Sequence, residues 1–290
     1  MTKREFLATG LGAAGLALIH SDRAMAQGSG KIPVRKAKTS KMFKSPKGFP
    51  NAVSVTPEGL WIGEQKMAGD QAKRYGVPEP DSLDEAAWLV DWNGKLLKTV
   101  MTPSRNTSGM AVGGGYVWMI ANRQPQGVFQ VDMKSNLVSH RQIPFGMPGR
   151  DGGGSHGGLW HDGKLWIASL RLRANLLVDP KTWQTEYMIP FYRSDPDWVR
   201  YHGMAIHDGS LWQVIGNNST SQKEFKPGLV RHDLETGRVQ EIVEFLPGSG
   251  DPHGLAFHDG KFITCDAGIH PGWETRASPT AGWILQIDLV

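Results

Sequence analysis

Apolar residues in this chain come in short runs, each cut off by a turn rich in glycine, aspartate or asparagine. Leu60-Trp61-Ile62, Leu165-Trp166-Ile167 and Leu211-Trp212-Gln213-Val214 are typical, and each follows a tight turn. Runs of this length between such turns predict β-strands joined as hairpins, with no long helices. The hairpins repeat. Five segments open alike, at Asn51-Ala52-Val53, Ser108-Gly109-Met110, His156-Gly157-Gly158, His202-Gly203-Met204 and His253-Gly254-Leu255, spaced 57, 48, 46 and 51 residues apart. Each opening leads into a turn: Pro57-Glu58-Gly59, Gly113-Gly114-Gly115, or His-Asp-Gly beginning at His161, His207 and His258. A second hairpin follows in most repeats, around Asp91, Asp179 and Asp233. Four strands in about 50 residues is the period of a propeller blade. The chain is therefore expected to be all-β, a single β-propeller over residues 27–290 with five blades, and room for a degenerate sixth in the long first repeat.

The last repeat stops at Ile284-Leu285-Gln286-Ile287-Asp288-Leu289, which reads as its third strand. A strand from Lys31-Ile32-Pro33-Val34-Arg35 or Ser40-Lys41-Met42-Phe43 fills the empty outer place and closes the ring, removing an exposed edge.

Composition sharpens this picture at few points. The 36 Gly and 18 Pro suit many turns, and the 11 Trp suit large plugs between sheets. One cysteine, Cys265, excludes an internal disulfide and a thiolate metal cluster, and is expected to be a buried small hydrophobe. The net charge of +4 is unevenly spread: residues 1–49 carry +8 and the remainder −4. No aromatic residues alternate with the basic ones of this arm, so it forms no stacking platform or phosphate track, and no nucleic-acid partner is expected. Its lysines are expected to protect a solvated edge strand from pairing with other chains.

Residues 1–26 read as an export leader. Lys3-Arg4-Glu5-Phe6-Leu7 precedes the apolar stretch Ala8 to Ile19, and Ala24-Met25-Ala26 supplies small residues for cleavage. The charged start resembles a twin-arginine signal with Lys in place of the first Arg. The apolar stretch is too short to span a bilayer well, so a periplasmic or secreted protein with no membrane span after processing is expected, acting as a monomer.

In a propeller the innermost strand starts at the face here called the top, and the second strand climbs back to it. The repeat openings Asn51, Ser108, His156, His202 and His253 therefore meet the ends of the second strands, Glu64, Asn122, Ser169, Asn217 and Asp266, at one mouth. His161, His207 and His258 lie about 17 Å away at the other end and are expected to serve turns. Three histidines from successive blades are expected to converge on a divalent metal ion, for which neutral imidazole suits Zn, Fe or Mn. Glu64 or Asp266 would complete the set. His202 or His253 would move a proton as general base, with the ion as Lewis acid on a carbonyl. Arg171, beside Arg173 beyond a top-face strand end, is a candidate to hold a substrate carboxylate or carbonyl. The long loop after Glu64 suits a lid, and the loop carrying His270, Trp273 and Glu274 suits a wall. No Gly-x-Ser-x-Gly elbow or His-Glu-x-x-His helix occurs.

The run from Gly158 to Ala168, with Leu177-Val178-Asp179-Pro180 after it, resembles blades of the streptogramin lyase and gluconolactonase (SMP-30-like) propellers, as does Glu58-Gly59-Leu60-Trp61-Ile62-Gly63-Glu64. The resemblance implies a divalent ion at the mouth held by Glu64, Asn122, Asn217 and Asp266, with Ca or Mg for an oxygen-rich cage. The Asp-Gly-x-x-Leu-Trp turn is also similar to that of the glutamine cyclotransferases, exported five-bladed propellers. The expectation is a metal-dependent lyase or hydrolase acting on a small cyclic ester or lactone. The alternatives are a glutamine cyclotransferase-like enzyme and a non-catalytic propeller that binds a ligand or partner.

Overall fold

A computed structural model describes residues 31–46, 49–146, 154–192, 199–217, 227–267 and 282–290. Within them the chain forms twenty strands and one short helix, α1 (Asp70–Tyr75). Three four-stranded antiparallel sheets follow in chain order. They are β2–β5 (Phe49–Thr56, Gly59–Gln65, Glu85–Val90, Leu96–Thr102), β6–β9 (Thr107–Gly113, Tyr116–Ala121, Gly127–Asp132, Leu137–Arg141) and β10–β13 (Ser155–His161, Lys164–Ser169, Ala174–Val178, Thr185–Pro190). A fourth, β14–β17 (Val199–His207, Ser210–Asn217, Gly228–Asp233, Val239–Phe245), and the set β18–β20 (Pro252–His258, Lys261–Asp266, Trp283–Leu289) complete a propeller-like ring. These five sheets are called blades 1 to 5. The extra length of the first repeat is not a sixth sheet: residues 66–84 hold α1 and loop, with Met67 and Ala72 packed on Phe49 and Ala267.

The amino-terminal strand β1 (Val34–Lys44) takes the vacant place in blade 5, antiparallel to β20 from Ala37↔Leu289 to Lys44↔Trp283. Its other edge also pairs. Val34 to Ala37 run parallel to Ile242 to Phe245 of β17, so blades 4 and 5 share one eight-stranded sheet. The basic residues of β1 thus do not guard an exposed edge along this stretch. They meet acids on the neighbouring strands: Arg35 bonds Glu241, Lys36 bonds Glu244, and Lys38 stands opposite Asp288. The uneven charge seen in the sequence is a register signal for closure.

Five apolar cores lie one between each pair of neighbouring blades, which is what closes the ring. Each second strand sends one large side chain into the next interface, Trp61, Trp118, Trp166 and Trp212, with Ile263 at the matching place in blade 5. Truncating a buried aromatic plug of this kind to Ala costs about 3–5 kcal/mol.

The inner hairpins turn tightly because their residues suit positive φ. Asp162-Gly163, Asp208-Gly209 and Asp259-Gly260 have φ of 47 and 75°, 48 and 61°, and 47 and 76°, the pairing a two-residue type I′ turn requires. The histidines before them pack aromatically. His207 stacks on Phe257 at 3.7 Å and His258 on Trp92 at 4.0 Å, while His161 faces Asp162 at 3.4 Å.

Candidate active site at the channel mouth

Every inner strand breaks its register at the repeat opening. The breaks fall between Pro50 and Ala52, Thr107 and Gly109, Ser155 and Gly158, Tyr201 and Met204, and Pro252 and Leu255. A bulge re-aims the residue it releases from the ladder. The residues released are Asn51, Ser108, His156, His202 and His253, all 2–4% exposed. The glycine after each of the last four positions explains how closely the strands approach. A Cβ on Gly109 would lie 2.9 Å from Gly157 Cα, one on Gly203 2.7 Å from Gly254 Cα, and one on Gly254 2.5 Å from Val53 N.

Three imidazoles form a row across blades 3, 4 and 5. His156 and His202 have ring centroids 5.1 Å apart and 30° between planes, and His202 and His253 are 4.3 Å apart at 55°. Each end of the row has a polar partner. Asn122 Nδ2 lies 2.6 Å from His156 Nε2, and His253 Nδ1 stands 3.2 Å from the Asp251 carbonyl oxygen and 3.8 Å from its carboxylate. Asp251 and Asp266 are buried together, the backbone N–H of Asp251 donating to Asp266 Oδ1 at 3.4 Å. Gln213, itself paired both ways with Asn175 at 2.8 and 2.9 Å, donates to the His202 carbonyl at 3.3 Å.

Blades 1 and 2 line their side with amides. Asn51 donates to Gln65 at 2.5 Å, and Gln65 donates to Asn106. Behind this chain sits Glu85, fully buried at the start of β4. Its carboxylate accepts from the backbone N–H groups of Lys66 (2.8 Å) and Thr107 (3.0 Å) and from Ser104 Oγ (3.0 Å). Burial outweighs these donors and pushes its pKa up to about 7.

The structure therefore brings together His156, His202, His253 and Asn122, with Asp266 behind Asp251. Glu64 lies at the end of β3, where it accepts from Ala86 N–H at 3.0 Å and faces Lys66 Nζ at 3.9 Å. Arg171 is exposed in the turn after β11, whereas Arg173 reaches inward, 5.7 Å over Phe191 and 6.0 Å over Tyr201. Asn217 ends β15, and its side chain lies outside the described residues, as do His270, Trp273 and Glu274. Cys265 is buried, with its thiol pushed up to about 12 by desolvation, which makes it unreactive.

Among the described residues, no three His, Cys, Asp or Glu side chains stand so as to hold a metal ion. The nitrogens of His156 and His253 named above face Asn122 and Asp251. The sequence did not single out Asp251, Gln65, Asn106 or Glu85. Asp251 carried one signal, an acid two residues before a repeat-opening histidine.

No protein-family model matches the sequence, and no curated protein matches it. Solved structures do. The glutaminyl cyclase of Myxococcus xanthus aligns with a TM-score of 0.53 over 90% of this chain and 100% of its own, at 10% identity. The fold is a β-propeller. Hydrazine synthase of Kuenenia stuttgartiensis gives a TM-score of 0.48 at 13% identity, over 77% of this chain and 57% of that one. A Bacteroides caccae protein of unknown function gives 0.44 at 12%, over 80% and 83%.

Proposed function

We propose that this propeller is an exported enzyme of glutaminyl-cyclase type, closing an amino-terminal glutaminyl residue with loss of ammonia. The observation that carries the proposal is the row His156–His202–His253 with Asp251 at its end, placed at the channel mouth of a fold that aligns with the whole of a glutaminyl cyclase. In this reaction the substrate's α-amine attacks its own side-chain carboxamide carbon. A C–N bond forms, the amide C–N bond breaks, and one proton moves from the attacking amine to the departing ammonia. His253 is suited to carry that proton, because the Asp251 carbonyl beside Nδ1 orients the ring and the Asp251 carboxylate stands 3.8 Å away. The amide chain Asn51–Gln65–Asn106 across the mouth supplies matching groups for a carboxamide substrate. Residues 1–26 are the proposed leader and the periplasm the proposed location.

A second reading rests on burial. With all three imidazoles almost fully enclosed and His156 held by Asn122, the row would serve as a polar plug under a binding surface without chemistry. Incubating residues 27–290 with a glutamine-initiated peptide separates the readings. The enzyme predicts free ammonia and a product lighter by one ammonia. No ammonia from the peptide, with ring opening of a lactone instead, would replace this proposal with the lyase or lactonase chemistry. Binding without turnover would favour the plug.

A further inference from the structure

The opposite face holds a second feature that does not depend on the histidine row. Between blades 4 and 5 the lower end of the interface is hollow, a cleft of about 390 Å³. The interface between blades 2 and 3 is filled at the same level. Between blades 2 and 3, Trp160 from the end of β10 stacks on Trp118 at 5.7 Å and fills the space. The matching residue at the end of β18 is Phe257, which is smaller and leans on His207 at 3.7 Å. Trp118 donates its indole N–H to the Gly113 carbonyl at 3.1 Å. Its counterpart Trp212, 3% exposed and lining the cleft, has a buried indole N–H that meets no acceptor among the described residues.

The lining has an aromatic floor and a rim of balanced charge. Trp212, Phe257 and Phe262 form the floor, with Arg231 5.3 Å over the Trp212 ring. Arg35, also in the lining, is tied to Glu241. Asp288 accepts from Ser40 and Gln286, which leaves Arg231 and Lys261 against Asp208 with Asp288 beside them, Arg231 and Asp208 being 4.0 Å apart. A simple anion would meet the two aspartates and a simple cation the two bases. A molecule with one charge of each sign and a flat apolar ring satisfies the whole lining.

We propose that this cleft binds an aromatic α-amino acid, its ring against Trp212, Phe257 and Phe262 and its two charges toward the basic and acidic rim. The volume lies within the range of small-molecule sites. The test is a ligand-observed NMR titration of residues 27–290 with L-phenylalanine, phenethylamine and 3-phenylpropionate. L-phenylalanine is expected to saturate with a Kd of about 1 mM, as befits so small a ligand, and each singly charged analogue to bind about tenfold more weakly. Phe257→Trp, which copies the filled interface of blades 2 and 3, should abolish binding. Lys261→Gln, on the exposed rim, should weaken it several-fold without touching the packing. Equal affinity for the three probes, no saturation, or unchanged binding in both variants would overturn the proposal.

Discussion

His253 presents its Nδ1 edge to Asp251, 3.2 Å from the backbone carbonyl and 3.8 Å from the carboxylate, and the two residues are separated in sequence only by Pro252. Residues two apart along an extended chain fall on the same side, so Asp251, immediately ahead of the strand Pro252–His258, lies beside His253. Asp251→Asn keeps the shape and removes the charge. It is expected to lower kcat by about 100-fold or more with KM little changed, in keeping with loss of the negative charge beside the general base, the carbonyl that orients the ring being kept. Steady-state kinetics on the glutaminyl peptide measures both.

The glycines beside the histidines are required by packing, and those in the turns by conformation. Gly203→Ala would drive a methyl into Gly254 and Leu255 of the next blade, and should cost about 1–3 kcal/mol or more while disturbing the imidazole row. Gly163→Ala, at φ 75° with open space around it, should cost about 1 kcal/mol and leave activity intact. Denaturant unfolding alongside the activity assay distinguishes the two effects.

Glu85 makes stability depend on pH in a predictable direction. Its pKa is raised from the ordinary 4.5 to about 7, so the folded state holds the proton more tightly than the unfolded state. The stabilisation is complete below the ordinary value and is lost as pH rises through about 7, by an amount on the order of 3 kcal/mol. Glu85→Gln cannot titrate. Relative to that variant, the unaltered protein should lose stability between pH 5 and 8, a difference that unfolding curves at several pH values would record.

Closure by β1 is predicted to depend on the sign of its charges. Arg35→Glu together with Lys36→Glu places like charges against Glu241 and Glu244. Each pair is partly exposed, so about 0.5–1 kcal/mol should be lost per pair, with recovery when Glu241→Arg and Glu244→Lys are added. Thermal melts at low and high salt check this, because the loss should shrink as salt screens the pairs.

The ring was legible in the sequence because one blade's needs recur five times. A glycine after the opening residue in four repeats, an Asp-Gly turn in three and an indole beyond the turn in four leave a mark that recurs along the chain. The closing strand was legible from its complement, a final repeat one strand short. The bulges were not, since a register shift depends on how two strands pair and leaves no pattern in either alone. Asp251 and Glu85 stayed hidden because their surroundings are set by pairing between strands: one sits just ahead of the bulged strand β18 and the other is buried against the connection between blades 1 and 2. Along Val34–Ala37 the basic residues of β1 were misjudged because the acidic partners of Arg35 and Lys36 lie some 200 residues away. The hollow under Trp212 has Phe257 where blade 3 has Trp160, a difference visible in the sequence whose consequence depends on how the two blades pack.

The central claim is that the imidazole row at the mouth does the chemistry, and two sets of histidines on the same strands test it. Ammonia release from a glutamine-initiated peptide should be measured for His253→Ala and His202→Ala, and in parallel for His258→Ala and His207→Ala at the opposite face. The account predicts release at least about 100-fold slower in the first pair and near the unaltered rate in the second. Equal loss in both pairs, or full activity in His253→Ala, would contradict it.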